Sequence, residues 1–152
     1  VPVACPAAPT GPQGTTWRAT LALALTPGCR VAPGVLLRYA AAIPPSGKQA
    51  ARIEFTTALA LYRAGRWEES LHRALSAAAR DPSHAAVRPL LALVYHRIGR
   101  ADDARSWLLK AREFQALLSP TRAGTHAPRI LPEEWPELRL LCDEATELLP
   151  DP

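Results

Sequence analysis

Several signatures of common chemistry are missing from this sequence. Its three cysteines, Cys5, Cys29 and Cys142, form no CxxC pair, which removes the ligand spacing of zinc ribbons and of haem attachment. The four histidines, His72, His84, His96 and His126, include no HxxxH or HExxH pair, so no metal site is expected from spacing. Neither a G-x-S-x-G elbow nor a phosphate-cradling G-x-x-x-x-G-K is present, and with them go the usual hydrolase and nucleotide-binding readings. Long apolar runs are missing too. A stretch such as residues 19–25 falls far short of the roughly 20 residues that span a bilayer. Aromatics make up only 6%, so the core must be mostly Ala, Leu and Val, which suits closely packed helices. The expectation is a chain without catalytic residues, cofactor or metal, and not an enzyme.

Acids are absent from residues 1–50, which carry Arg18, Arg30, Arg38 and Lys48. The C-terminal stretch holds Glu133, Glu134, Glu137, Asp143, Glu144, Glu147 and Asp151 against Arg122, Arg129 and Arg139. A basic front and an acidic tail could attract each other, within the chain or between copies. Two solvated faces are the simpler expectation. Arginine outnumbers lysine sixteen to two within a net charge of +4. The arginines are scattered and aromatic interleaving is sparse, so nucleic-acid binding is not expected. The pairs Glu68-Glu69 and Asp102-Asp103 fall where helices begin, and acids there favour the positive end of the helix dipole. Cys142 reads as a small core residue, because no base lies near it in sequence.

The chain begins at Val1 and contains no Met, which is expected of a processed precursor or a trimmed chain. Residues 25–29 read LTPGC, a weak echo of a lipoprotein cleavage box in which Pro27 fits badly. Cys5 and Cys29 could pair across the Pro-rich front, or be two unconnected small side chains. These features lean towards an exported or periplasmic location over a cytoplasmic one.

What the sequence does contain is organised by proline. Eight prolines fall in residues 1–50, only Pro82 and Pro89 in residues 51–118, and the remaining six of 16 beyond. Proline breaks helix interiors, so the long helices are expected in the middle. There the run LYRAG ends at Gly65 before Arg66, and YHRIG ends at Gly99 before Arg100, 34 residues later. Glycine enters the left-handed region that a tight helix–helix turn requires. Helices are predicted over residues 51–64, 67–80, 85–98 and 101–114, with Asp81-Pro82-Ser83 closing the first unit. Residues 51–84 and 85–118 then align, with Leu61 over Tyr95, Arg63 over Arg97, Ala74 over Leu108 and Ala77 over Ala111.

These units resemble the tetratricopeptide-repeat (TPR) family, whose unit is a 34-residue helix–turn–helix. Leu91, Ala92, Tyr95, Ala104, Leu108 and Ala111 match its small and bulky positions in the second unit. Ala58, Ser70, Ala74, Ala77 and Pro82 match them in the first. Glu54 and Arg88 stand where the family usually has Trp, Thr57 replaces a Leu, and Ala116 falls where the closing Pro would be. The resemblance implies an all-α fold, a short α-solenoid of antiparallel helix pairs. Two units bury too little alone, so the flanks must contribute. Leu138, Leu141, Ala145 and Leu148 share one side of a predicted capping helix over residues 132–149, whose other, acidic face is expected in solvent. Residues 15–50 are expected to form two shorter helices, 16–25 and 35–43, as a degenerate repeat. Residues 1–14 read as an extended Pro-rich arm and 119–131 as a loop.

By the same resemblance, partners lie against the first helix of each unit. The positions carried over are Arg52, Phe55, Leu59, Tyr62 and Arg63 in the first unit, and Ala86, Pro89, Leu93, His96 and Arg97 in the second. This surface implies a peptide with apolar anchors and an acid, met by Arg63 and Arg97. It lacks the Lys and Asn clamp of the chaperone-tail-binding branch. Alternatively, Phe55, Leu59 and Leu93 pack against neighbouring helices or the front arm, and the groove is filled. The functional expectation is a scaffold or accessory subunit of a larger assembly, membrane-associated complexes included. A regulatory module that binds a short apolar and acidic peptide is the alternative.

Overall fold

The computed structural model describes residues 17–26, 32–42, 47–118 and 134–150. Among them are seven α-helices and no strand: α1 (Trp17–Leu25), α2 (Pro33–Ala41), α3 (Ala50–Arg63), α4 (Trp67–Arg80), α5 (Val87–Arg97), α6 (Ala101–Leu117) and α7 (Glu134–Leu148). The described residues are all-helical, in keeping with the expected all-α fold. The expected arm at 1–14, the loop at 119–131 and the pair Cys5 and Cys29 lie outside the described residues. No helix of the described residues is long and apolar enough to cross a membrane. The chain divides into two compact units between Arg80 and Asp81.

In the first unit α3 is the central helix, packed against α1, α2 and α4. Its composition explains the position. Ala58, Leu59 and Ala60 are consecutive and fully buried, with Phe55 one turn earlier, and a helix apolar on nearly every side must be enclosed. α4 is the opposite case. It buries Ser70, Ala74 and Ala77 and turns its charged residues to solvent. These small side chains let α3 and α4 approach closely. Ser70 Oγ satisfies its burial by donating to the Ala58 carbonyl at 2.7 Å.

The α3–α4 turn is built on Gly65 at φ 75°. Gly65 N–H donates to the Tyr62 carbonyl at 3.1 Å, and Arg66 N–H to the Leu61 carbonyl at 3.0 Å. This pair of bonds is the Schellman closure, which satisfies the last carbonyls of a helix. The α5–α6 turn repeats it in the second unit. Gly99 has φ 82°, its N–H donates to the His96 carbonyl at 3.1 Å, and Arg100 N–H donates to the Tyr95 carbonyl at 2.9 Å. α6 buries Ala104, Leu108 and Ala111, the counterparts of Ser70, Ala74 and Ala77. The donors and acceptors of the turn, and the three buried positions of the second helix, recur at the interval between the glycines.

α1 and α2 are short and pack on α3 and on each other. Pro33 stands in the first turn of α2, where its missing N–H has no helical partner to lose; it starts that helix two residues earlier than expected. α1 ends without glycine. Its late carbonyls are met by the Thr26 hydroxyl, donating to Ala22 at 2.9 Å, and by Arg63 Nε, donating to Ala24 at 2.8 Å.

In the second unit α5, α6 and α7 pack on one another. Ala85, Ala111, Leu138 and Cys142 form an apolar cluster, with Phe114, Leu118 and Trp135 against it. Leu138, Leu141 and Ala145 are fully buried, as their spacing predicts. The expected solvent-facing acidic side of α7 needs correction. Asp143 and Glu147 are exposed, but Glu134 and Glu137, in its first turn, are buried. Glu137 faces the buried His84, whose Nε2 lies 3.9 Å from its Oε2.

Candidate functional site

The residues expected to meet a partner fall into two groups. In α3, Phe55 and Leu59 have no exposed surface, and Arg52 and Tyr62 are buried. Arg63 is half-buried, spends its Nε on the α1 carbonyl of Ala24, and lies 5.4 Å from the Tyr62 ring centroid. In the second unit Ala86, Pro89 and Leu93 are buried, His96 is half-buried, and Arg97 is exposed. The apolar anchors of the expected surface are therefore core residues in both units. Arg97 is the exposed member, and Arg63 and His96 are half-buried.

The positions where the TPR pattern has Trp are handled by polar compensation. Glu54 is buried and takes Arg73 of α4 as its ion partner, with Nη1 at 3.1 Å from Oε2. Arg88, its counterpart, lies with its guanidinium 4.4 Å from the Phe114 ring centroid and donates through Nη2 to the Pro82 carbonyl at 3.2 Å. Burial holds that guanidinium below its ordinary pKa. Stacking on an aromatic face suits Arg better than Lys, because its planar charge is more weakly hydrated.

Both turns carry a matching ion pair. Arg66 Nε donates to Glu69 at 2.6 Å, and Arg100 Nε lies 2.7 Å from Asp103 Oδ2. The first-turn acids do lie at helix starts, and the second of each pair, Glu69 and Asp103, falls three residues after an arginine. Exposed pairs of this kind contribute little stability but fix the turn's side chains.

The large apolar side chains that do reach solvent are elsewhere. Trp67 and Leu75 lie on α4, Leu109 and Leu117 on α6, and Leu140 on α7. Leu75 and Leu109 occupy equivalent positions of the two units and are 41% and 58% exposed. None of these is among the expected contact residues, which lie on the first helices; Leu75 and Leu109 point away from the small buried stripe of each second helix.

Cys142 is buried, and its thiol pKa is pushed up to about 11 by burial and, secondarily, by the Asp143 charge, with Arg112 opposing. A thiol so held is a core residue rather than a nucleophile at neutral pH. Among the described residues, no group of three or more His, Cys, Asp or Glu is placed to hold a metal ion. No protein-family model matches the chain, and no curated protein or solved structure is a significant match to it.

Proposed function

We propose that this chain is a non-catalytic protein–protein interaction module of the tetratricopeptide kind, serving as a scaffold or accessory subunit of a larger assembly. The observation that carries the reading is the recurrence of one helix–turn–helix at a 34-residue interval, with the same Schellman closure at Gly65 and Gly99. Units of this type stack and present helical surfaces to partners. The exposed Leu75 and Leu109 on equivalent positions support second helices as contact faces. Apolar side chains that reach solvent are where association recovers hydrophobic energy.

A regulatory module that takes a short peptide is the second reading. The half-buried His96 and exposed Arg97 favour it, since an arginine at a helix end grips a carboxylate well. Purification from the native source at low salt, with mass spectrometry of what accompanies the chain, separates the two. A partner held in fixed ratio through repeated washing supports the subunit. A ligand that exchanges within minutes supports the peptide module. A chain that emerges alone under all conditions contradicts both.

A further inference from the structure

α7 packs on α5 and α6 and buries Leu138, Leu141, Cys142 and Ala145. Its outward side exposes Leu140, 43% open to solvent, with Asp143 and Glu147 exposed three and seven residues on. Those spacings put the leucine and both acids on one stripe of the helix. α7 carries five acids and one base, Arg139, so the stripe lies in a negative field. Acids alone are well solvated, whereas an exposed leucine among them gains by being covered.

The first unit presents the counterpart. Residues 17–49 contain no acid. On α1, Arg18 and Ala22 are exposed one turn apart, with the half-buried Leu25 in line. On α2, Arg38 is exposed and is followed three and four residues on by the exposed Ala41 and Ala42. Small side chains beside each arginine let another helix approach closely. Arg18 also has a partner within its own chain, but a guanidinium carries five N–H donors and can take a carboxylate as well.

We propose that the outward face of α7 docks on α1 and α2 of a second copy of this chain. Charge complementarity selects the occupant, because the α7 face is acidic around its leucine and the α1–α2 face is basic and free of acids. Asp143 and Glu147 of one copy meet Arg18 and Arg38 of the next, and Leu140 is covered by the small residues beside those arginines. The two faces differ, so the contact is head-to-tail and extends past two copies. A second copy thereby joins the partners of the interaction module, through surfaces other than those of Leu75 and Leu109.

The test is light scattering of the purified full chain over a concentration series. At low salt the mass is expected to climb past that of two copies, and about 0.5 M salt should weaken association roughly tenfold by screening exposed charges. Two charge-reversed variants, Asp143→Lys with Glu147→Lys and Arg18→Glu with Arg38→Glu, should each stay single where the parent chain associates. Mixed in equal amounts they should associate again, since each reversed face then meets its complement. Leu140→Gln, a change at one exposed side chain, should weaken association about tenfold without moving the thermal midpoint. Three results overturn the proposal: a single-copy mass at every concentration, association that salt and the reversals leave unchanged, or folded variants that stay single when mixed. A different protein held in fixed ratio would survive all three, so failure here leaves the module reading intact.

Discussion

Gly65 and Gly99 adopt the same left-handed conformation, φ 75° and 82°, and close their helices with hydrogen bonds at identical offsets. The two turns are the most closely matched features of the two units. An added Cβ at either glycine meets nothing within 4 Å, so a substitution is felt through the backbone alone. Gly65→Ala and Gly99→Ala should each cost about 1–2 kcal/mol, the penalty of a left-handed L-residue. Asn should cost less at both sites, because it tolerates that region better. Urea unfolding of the four variants measures this, and a large asymmetry between the sites would deny their equivalence.

The burial of Leu59 and the exposure of Leu109 give opposite expectations for the same truncation. Leu59→Ala should destabilise the fold by about 2–5 kcal/mol through lost burial and a cavity. Leu109→Ala should stay within about 0.5 kcal/mol and weaken partner association instead. Thermal unfolding and binding measured on both variants separate core from contact surface.

The Glu54–Arg73 pair joins α3 to α4 across an interface in which Glu54 is buried and Arg73 is 44% exposed. Arg73→Ala should cost about 1–3 kcal/mol, because it strands a buried carboxylate. Adding Glu54→Leu to that variant should recover most of the loss, since the orphaned charge is then gone. A double-mutant cycle in urea provides the coupling, and additive effects would show that the pair is energetically idle.

Cys142 yields a pH prediction with a definite sign. Its folded pKa of about 11 lies above the ordinary 9.0, so folding favours the neutral thiol. That contribution is fully present below about pH 9 and is lost as pH rises towards 11. It amounts to about 2–3 kcal/mol over the window. The fall in stability between pH 9 and 11 should therefore shrink in Cys142→Ala. Alkylation of the native thiol at pH 8 should be slow and should accelerate only when α7 opens.

Local chemistry made the middle of the fold legible in the sequence. Glycine spacing located both turns, and α4 runs over the expected residues, Trp67–Arg80. Where bounds differ, a residue explains it: α6 continues to Leu117 because no breaker follows Phe114 until Pro120. The buried polar groups were not legible. Glu54, His84, Glu134 and Glu137 look like surface residues until a partner from another element is brought against them. Glu54 meets Arg73 from the next helix, and Glu137 meets His84 from a turn some fifty residues earlier. The site suffered from the same limit. The repeat positions of Phe55 and Leu59 suit either a contact surface or packing against neighbouring helices, and both side chains are enclosed; repeat position alone does not decide between the two.

The central claim, that the chain works as part of an assembly, is tested most directly by the mass of the native particle that contains it. Light scattering on material isolated at low salt should give a mass well above that of the chain alone, with a second polypeptide in fixed ratio. A particle with the mass of a single copy of this chain, unchanged across concentration and salt, would contradict the account.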